Sequence, residues 1–470
     1  MKSVIRKVIE NTLWLLFQKV GVRIVTFILM IYLARSLGSS DFGKFTFATS
    51  FTLLFIALSD MGITTITIRE VSRFKERGPD YVGRCATLKI VLSIMAFIAL
   101  SFSLAVVNVP TDTRLVAYLI SACFLFRNVG VFFGAVFQAY EEMKYVSLTE
   151  FLQQVLLLLI CLVLINFDRN LVSISLAYLF CAVLYCFLNI TIVHLKFLNP
   201  RYVIDAKFWL KVLKESYPLA IVAVISMVYF NIDIVMIGKI KGEIDAGWYG
   251  ICYNIFFVIA TLPSAFLASI FPGISKYFVE SKSLLNNAYQ LSFKLIIGIG
   301  IPLSIGLFLL AENIIIALFG NQYSPSIAIL KIFSTLIFLS YLNSLAGYFL
   351  TAVNRQKETA KILAAITCVN IGLNAILIPY FSYIGAACAT VISELLLFIL
   401  FTASLRGSYL HFNMSDIVKP ISASAIMGIS IILMINRDWH LSVTIIIAAL
   451  IYLSIIWTTG YAKEFRLAEL

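Results

Sequence analysis

The chain has 470 residues and a formal net charge of +12; 61% of its residues are hydrophobic and only 13% are charged. A soluble domain is near half apolar and a quarter charged, so this chain lacks the polar surface that water demands and needs lipid as its solvent. The basic residues fall mostly between apolar segments and form no stripe interleaved with exposed aromatics, which argues against nucleic acid as a partner.

The first apolar run, Leu13 to Leu33, follows Lys2, Arg6 and Lys7. It is interrupted by Lys19 and Arg23 and carries no small-residue cleavage site, so it reads as an uncleaved first helix rather than a signal peptide. A spanning helix needs roughly 20 mostly apolar residues. Fourteen segments meet that requirement: 13–35, 44–67, 86–107, 115–139, 147–166, 172–194, 217–238, 247–271, 291–311, 326–350, 360–379, 384–404, 420–436 and 441–460. The spacing therefore predicts an all-α polytopic membrane protein of twelve helices plus two. With the N-terminus inside, the inner connections hold 23 basic residues, among them Arg406, Lys463 and Arg466, and the outer connections hold six. That bias places both termini in the cytoplasm.

The connection at 195–216 is the longest and suits an amphipathic helix on the inner interface. Phe208, Trp209 and Leu213 would face lipid, and Lys207, Lys211 and Lys214 would face headgroups. It separates an N-lobe (1–194) from a C-lobe (217–404), with an accessory pair of helices and a short tail at 405–470. The two lobes carry a repeat. Gly38-Ser-Ser-Asp41-Phe-Gly43-Lys-Phe45 and Gly242-Glu-Ile-Asp245-Ala-Gly247-Trp-Tyr249 share the pattern G-x-x-D-x-G-x-[FY] at an offset of 204 residues. A second echo pairs Gln138–Lys144 with Thr351–Lys357. Six helices lie between the copies, so both halves cross in the same direction, as in a parallel repeat about an axis along the membrane normal.

Ionisable groups deep in such segments are expensive and informative. Arg127 stands twelve residues from either end of its segment, roughly 18 Å at 1.5 Å per residue, too far to reach an interface easily. Arg127, Gly134 and Gln138 recur at i, i+7 and i+11 and share one face. Lys19 and Arg23 stand at i and i+4 on the first helix, with Lys19 the shallower. These four polar residues are candidates for lining a substrate cavity, the alternative for each cation being an internal ion pair that sets helix register. Asp60, Asp233 and Glu394 are the intramembrane acids, each a candidate for ion pairing, for a hydrogen bond between helices, or for coupling to H⁺ or Na⁺. The N-lobe balance of Lys19, Arg23 and Arg127 against Asp60 suits an anionic ligand such as a diphosphate, which arginine grips with paired donors.

The eight cysteines form no C-x-x-C, and His194, His411 and His440 stand near segment ends, so neither a disulfide framework nor a metal site is expected. The chain carries no G-x-x-x-x-G-K-[ST], H-E-x-x-H or G-x-S-x-G, and neither enzymatic chemistry nor a resident cofactor is expected.

Ala34-Arg35-Ser-Leu37-Gly38-Ser-Ser-Asp41-Phe42-Gly43-Lys-Phe45, Ser59-Asp60-Met-Gly62, Arg69-Glu70 and Phe137-Gln138-Ala-Tyr140 resemble the motifs of polysaccharide transporters, the O-antigen flippases called Wzx and their relatives. Their superfamily also holds multidrug antiporters and lipid II flippases. The resemblance implies two six-helix lobes in a V shape and a substrate of undecaprenyl diphosphate carrying an oligosaccharide. That substrate would be turned from the inner to the outer leaflet of the bacterial inner membrane by alternating access. It also implies a cationic central cavity, which Arg23 and Arg127 fit, and places the chain beside a glycan polymerase and a chain-length regulator. The alternatives are a multidrug antiporter of the same fold, which would favour acidic cavity walls, a membrane polymerase, which would need large outer loops, and a non-transporting scaffold.

Overall fold

The computed structural model describes residues 2–405 and 414–461, which form fifteen α-helices and no strand. Arg406, His411, Lys463 and Arg466 lie outside the described residues. The chain divides into two compact units, Met1–Gly247 and Trp248–Leu470. The first holds α1 (Lys2–Asp60), α2 (Ile63–Arg73), α3 (Gly78–Val107), α4 (Thr111–Ala139), α5 (Met143–Phe167), α6 (Leu171–Lys196) and α7 (Ala206–Ile240). α8 (Glu243–Ala260) starts at its end. The second holds α9 (Leu262–Glu280), α10 (Lys282–Leu309), α11 (Ala311–Phe319), α12 (Ser326–Ala352), α13 (Gln356–Leu405), α14 (Met414–Ile435) and α15 (Leu441–Thr458).

Among the described residues, twelve helical stretches are long and apolar enough to cross a membrane. Two of them are each a pair of crossings. α1 has 59 residues, about 88 Å of helix against ~30 Å of hydrocarbon. It breaks at Gly38, whose φ of 78° and ψ of 173° are open to glycine and closed to most side chains. α13 has 50 residues and breaks at Ser382. Counted this way, fourteen crossing segments match those expected. Their solvent is legible from their surfaces. On α3, Ile90, Ile94, Ile98, Phe102 and Val106 repeat every four residues and are 46%, 55%, 62%, 71% and 67% exposed. A continuous apolar stripe of that length belongs against acyl chains, and the protein is a multi-pass membrane protein.

Two local features differ from the sequence reading. The second span ends at Asp60, not near residue 67. Met61 and Gly62 take φ of 47° and 76°, and the chain restarts as the short amphipathic α2, which buries Ile63, Ile66, Thr67 and Val71. At Gly62 a Cβ would come within 2.9 Å of the Leu219 Cβ on α7, so the turn needs glycine both for its backbone and for its neighbour. The second difference lies at 195–216. α7 starts at Ala206, capped by Asp205, whose carboxylate accepts from the Phe208 N–H at 3.1 Å, and runs on for 35 residues. Phe208, Trp209 and Leu213 do not face lipid. They pack on a buried cluster that includes Val71, Val82, Phe137 and Val193, and the Trp209 indole donates to the Arg84 carbonyl at 3.1 Å. Lys207, Lys211 and Lys214 are exposed as expected. The helix is amphipathic, but its apolar face is covered by protein.

The two copies of the G-x-x-D-x-G motif meet. A Cβ on Gly43 would run into the Glu243 carbonyl, and a Cβ on Gly247 would run into the Ser39 carbonyl. Ser39 and Glu243 are equivalent positions, as are Gly43 and Gly247. Each copy therefore makes the same contact with the other, the reciprocity that a two-fold relation imposes. Glycine at both sites lets the two backbones touch, as small residues do between membrane helices.

Candidate functional site

The polar groups expected to line a cavity belong to α1 and α4, within the first unit. Arg127 sits sixteen residues into α4 and twelve before its end, roughly 24 Å and 18 Å along the axis. It is half-buried, and among the described residues it has no hydrogen-bond acceptor and no carboxylate within ion-pair distance. Its neighbours are tethered. Asn128 donates to the Ser59 hydroxyl of α1. Gly130 lets α4 close on α6, since a Cβ there would come within 2.7 Å of the Tyr185 ring and 3.1 Å of the Cys186 Cα. The guanidinium thus projects from a helix whose position is fixed on both sides, and its own five donors are uncommitted.

The polar groups of α1, α5 and α6 form a second set in the same unit. Gln18 donates to one carboxylate oxygen of Glu150, and the Tyr185 hydroxyl donates to the other at 3.5 Å. Thr149 donates to the Asn189 side-chain oxygen at 3.3 Å, and Asn189 donates to the Tyr185 carbonyl at 2.8 Å. Gly134 leaves room here: a Cβ would stand 3.9 Å from both the Tyr185 hydroxyl and the Asn189 oxygen. Arg127 lies close enough to act electrostatically on Tyr185. Gln18, Glu150 and Asn189 stand near segment ends, where polar residues are ordinary, and Tyr185 is one of many aromatic residues within the spans, so none of the four carries a signal in the sequence. The Gln18–Glu150 pairing has no sequence signal, since the two are 132 residues apart.

The other candidates divide. Arg23 is half-buried on α1, while Lys19, one turn earlier, is exposed. Gln138 shares the Arg127 face but stands eleven residues on, roughly 16 Å along the axis, too far for both to grip one diphosphate. Asp60 is not held by an arginine. Its carboxylate takes the Lys89 ammonium of α3 and the Thr64 hydroxyl of α2. Lys89 is wholly buried and lies 5.6 Å over the Phe132 ring. Asp233 is buried on α7, beside the equally buried Asn231. Glu394, on α13 in the second unit, is buried and accepts from the Asn343 side-chain amide of α12. The intramembrane charge of the first unit is therefore Lys19, Arg23, Lys89 and Arg127 against Asp60 and Glu150, with Asp233 on α7. Excluding the Asp60–Lys89 pair, which neutralises itself, the α1–α6 bundle stays net positive.

Nothing in this arrangement resembles an activated nucleophile or an acid–base pair. Among the described residues no three His, Cys, Asp or Glu side chains gather to hold a metal ion. What the arrangement can do is receive an anion at mid-membrane depth through a planar guanidinium.

Residues 8–278 match the model of the family described as polysaccharide biosynthesis protein, and residues 218–380 match that of the MatE family. The chain is 23% identical to the probable low-salt glycan biosynthesis flippase Agl15 of Haloferax volcanii, over 48% of this chain and 50% of that one. It is 22% identical to a putative O-antigen transporter of Shigella flexneri, over 81% of this chain and 93% of that one. Its fold is similar to that of lipid II flippase MurJ in an inward closed conformation, with a TM-score of 0.80 at 16% identity, covering 95% of this chain and 99% of that one. The family model covers more than half of the sequence, and the solved fold covers nearly all of it. The chain belongs to the polysaccharide biosynthesis protein family, within the multidrug/oligosaccharidyl-lipid/polysaccharide exporter superfamily.

Proposed function

We propose that the protein is a flippase that carries a lipid-linked oligosaccharide, an undecaprenyl diphosphate bearing a glycan repeat unit, from the cytoplasmic to the outer leaflet of the inner membrane. The observation that carries this reading is Arg127, a guanidinium at mid-membrane depth with neither an ion-pair nor a hydrogen-bond partner among the described residues. A cation at mid-membrane depth with no ion-pair partner is costly in a membrane protein. Its retention makes sense if its partner is the ligand. The diphosphate would bind Arg127 and Arg23 while the prenyl chain stays in acyl-chain surroundings and the glycan occupies the polar path.

Each half of the chain would alternate its access around this site, with both termini cytoplasmic. Asp60 is committed to Lys89, and Asp233 and Glu394, both buried, are the candidates for H⁺ or Na⁺ coupling. The relatives named for glycan and O-antigen transport support the substrate class, and the net positive α1–α6 bundle favours an anion over the organic cations of a multidrug antiporter.

The test is Arg127→Ala in the native host, with membrane abundance followed by immunoblot. Surface glycan should be lost and the lipid-linked precursor should accumulate at normal protein levels. Arg127→Lys should recover little, because a point charge cannot replace a bidentate fork. Normal surface glycan in Arg127→Ala would overturn the reading.

A further inference from the structure

The two halves of the chain each bury a lysine on the corresponding helix, one residue out of register with the repeat, and they neutralise it differently. Lys294 on α10 lies 205 residues after Lys89 on α3, beside the offset of 204 that relates Gly43 to Gly247. Lys89 takes its acid from within its own half, Asp60. The residue 204 positions after Asp60 is Ser264, whose hydroxyl donates to the Thr261 carbonyl of its own chain turn at 2.6 Å. The acid for Lys294 comes instead from α14: its ammonium stands 2.8 Å from Asp416, with both side chains 11% exposed.

Tyr461, which follows α15 and is 2% exposed, closes this pair. Its ring lies 5.4 Å under the ammonium, and its hydroxyl donates to the Lys294 carbonyl at 2.6 Å. One turn further along α10 a backbone group also needs a partner. Pro302 has no N–H, so the carbonyl four residues earlier, Gly298, loses its helical donor. That carbonyl accepts from the Tyr452 hydroxyl of α15. In hydrocarbon an orphaned carbonyl is costly, and a neighbouring helix is one of the few available donors. α10, α14 and α15 also share a buried apolar cluster that includes Met427, Ile431 and Tyr452, and they border an apolar cavity of about 620 Å³ lined by Pro302, Gly306 and Leu453. With no hydrophobic drive between helices in lipid, the directional bonds set how the pair docks.

We propose that α14 and α15 are a splint for α10. They supply the counter-charge that the second half lacks and the donor that Pro302 removes, and so hold a proline-containing, charge-bearing helix in one conformation. The accessory pair is thus a required part of the second unit.

Two double-variant comparisons in the full-length protein test this, read as membrane abundance and as the melting temperature of detergent-solubilised material. Tyr452→Phe should lower the melting temperature by about 2–4 °C. It should have no effect on top of Pro302→Ala, which restores the N–H that bonds the Gly298 carbonyl. Asp416→Asn should lose most of the inserted protein, and adding Lys294→Met should restore it. Equal losses from Tyr452→Phe with and without Pro302, or an Asp416→Asn variant that is either fully abundant or not improved by Lys294→Met, would overturn the proposal.

Discussion

Replacing Asp60 by Asn should damage the protein more than replacing its partner Lys89 by Met, although both changes break the same ion pair. The asymmetry follows from exposure. The Lys89 side chain is 0% exposed and the Asp60 side chain is 31% exposed. Removing the acid's charge strands an ammonium among Phe132 and other buried groups of α3 and α4. Breaking a buried pair in this way costs about 3–5 kcal/mol, a factor of roughly a hundred to a few thousand in the folded population. Removing the lysine leaves a carboxylate that still accepts from Thr64 and is not enclosed, at about 1–2 kcal/mol. The double variant Asp60→Leu with Lys89→Met leaves no charge to strand and should lie near the parent. The assay is the temperature at which a fluorescent fusion in detergent loses its monodisperse peak. With roughly 2–4 °C per kcal/mol, Asp60→Asn should fall by about 6–20 °C. A Lys89→Met variant that falls as far, or a double variant no better than Asp60→Asn, would refute the reasoning.

Gly43→Val and Gly247→Val should cause similar losses of at least ~1–3 kcal/mol each, because each added side chain meets a backbone carbonyl that cannot step aside. Gly372→Ala, where a Cβ meets nothing within 4 Å, is the control and should be neutral or slightly stabilising; unequal effects at the two motif glycines would deny the reciprocal contact. Asn343→Leu should lower stability by about 1.5–3 kcal/mol by withdrawing the donor to the buried Glu394 carboxylate. Glu394→Gln should cost much less, since its amide oxygen still accepts, and equal melting temperatures for these two variants would contradict that account.

The spanning segments could be read from the sequence because hydropathy over about 20 residues depends on nothing but the local chain. Arg127 was legible for the same reason, its depth being a matter of counting along one helix. What could not be read was which group covers another. Lys89 stands near a segment end, where a lysine ordinarily snorkels. It is buried because the chain turns at Met61–Gly62 and α2 folds over it, a consequence of two positive φ angles. Phe208 and Trp209 lie on a visibly apolar face, but periodicity does not say whether lipid or protein covers that face. Lys294 and Asp416 are 122 residues apart, and no pattern joins them.

The reciprocal glycine contact bears on biogenesis. The first compact unit extends to Gly247 and includes α7 and the opening turn of α8. When α6 emerges at Lys196, the surface around Ser39 and Gly43 still lacks its mate. That mate is about fifty residues further on, roughly 3–10 s of translation at ~5–20 residues per second. During that interval a bare glycine backbone faces the insertion machinery or the bilayer. Ribosome pausing or premature termination between residues 196 and 247 would therefore leave the nascent chain with one half of this glycine contact unmatched.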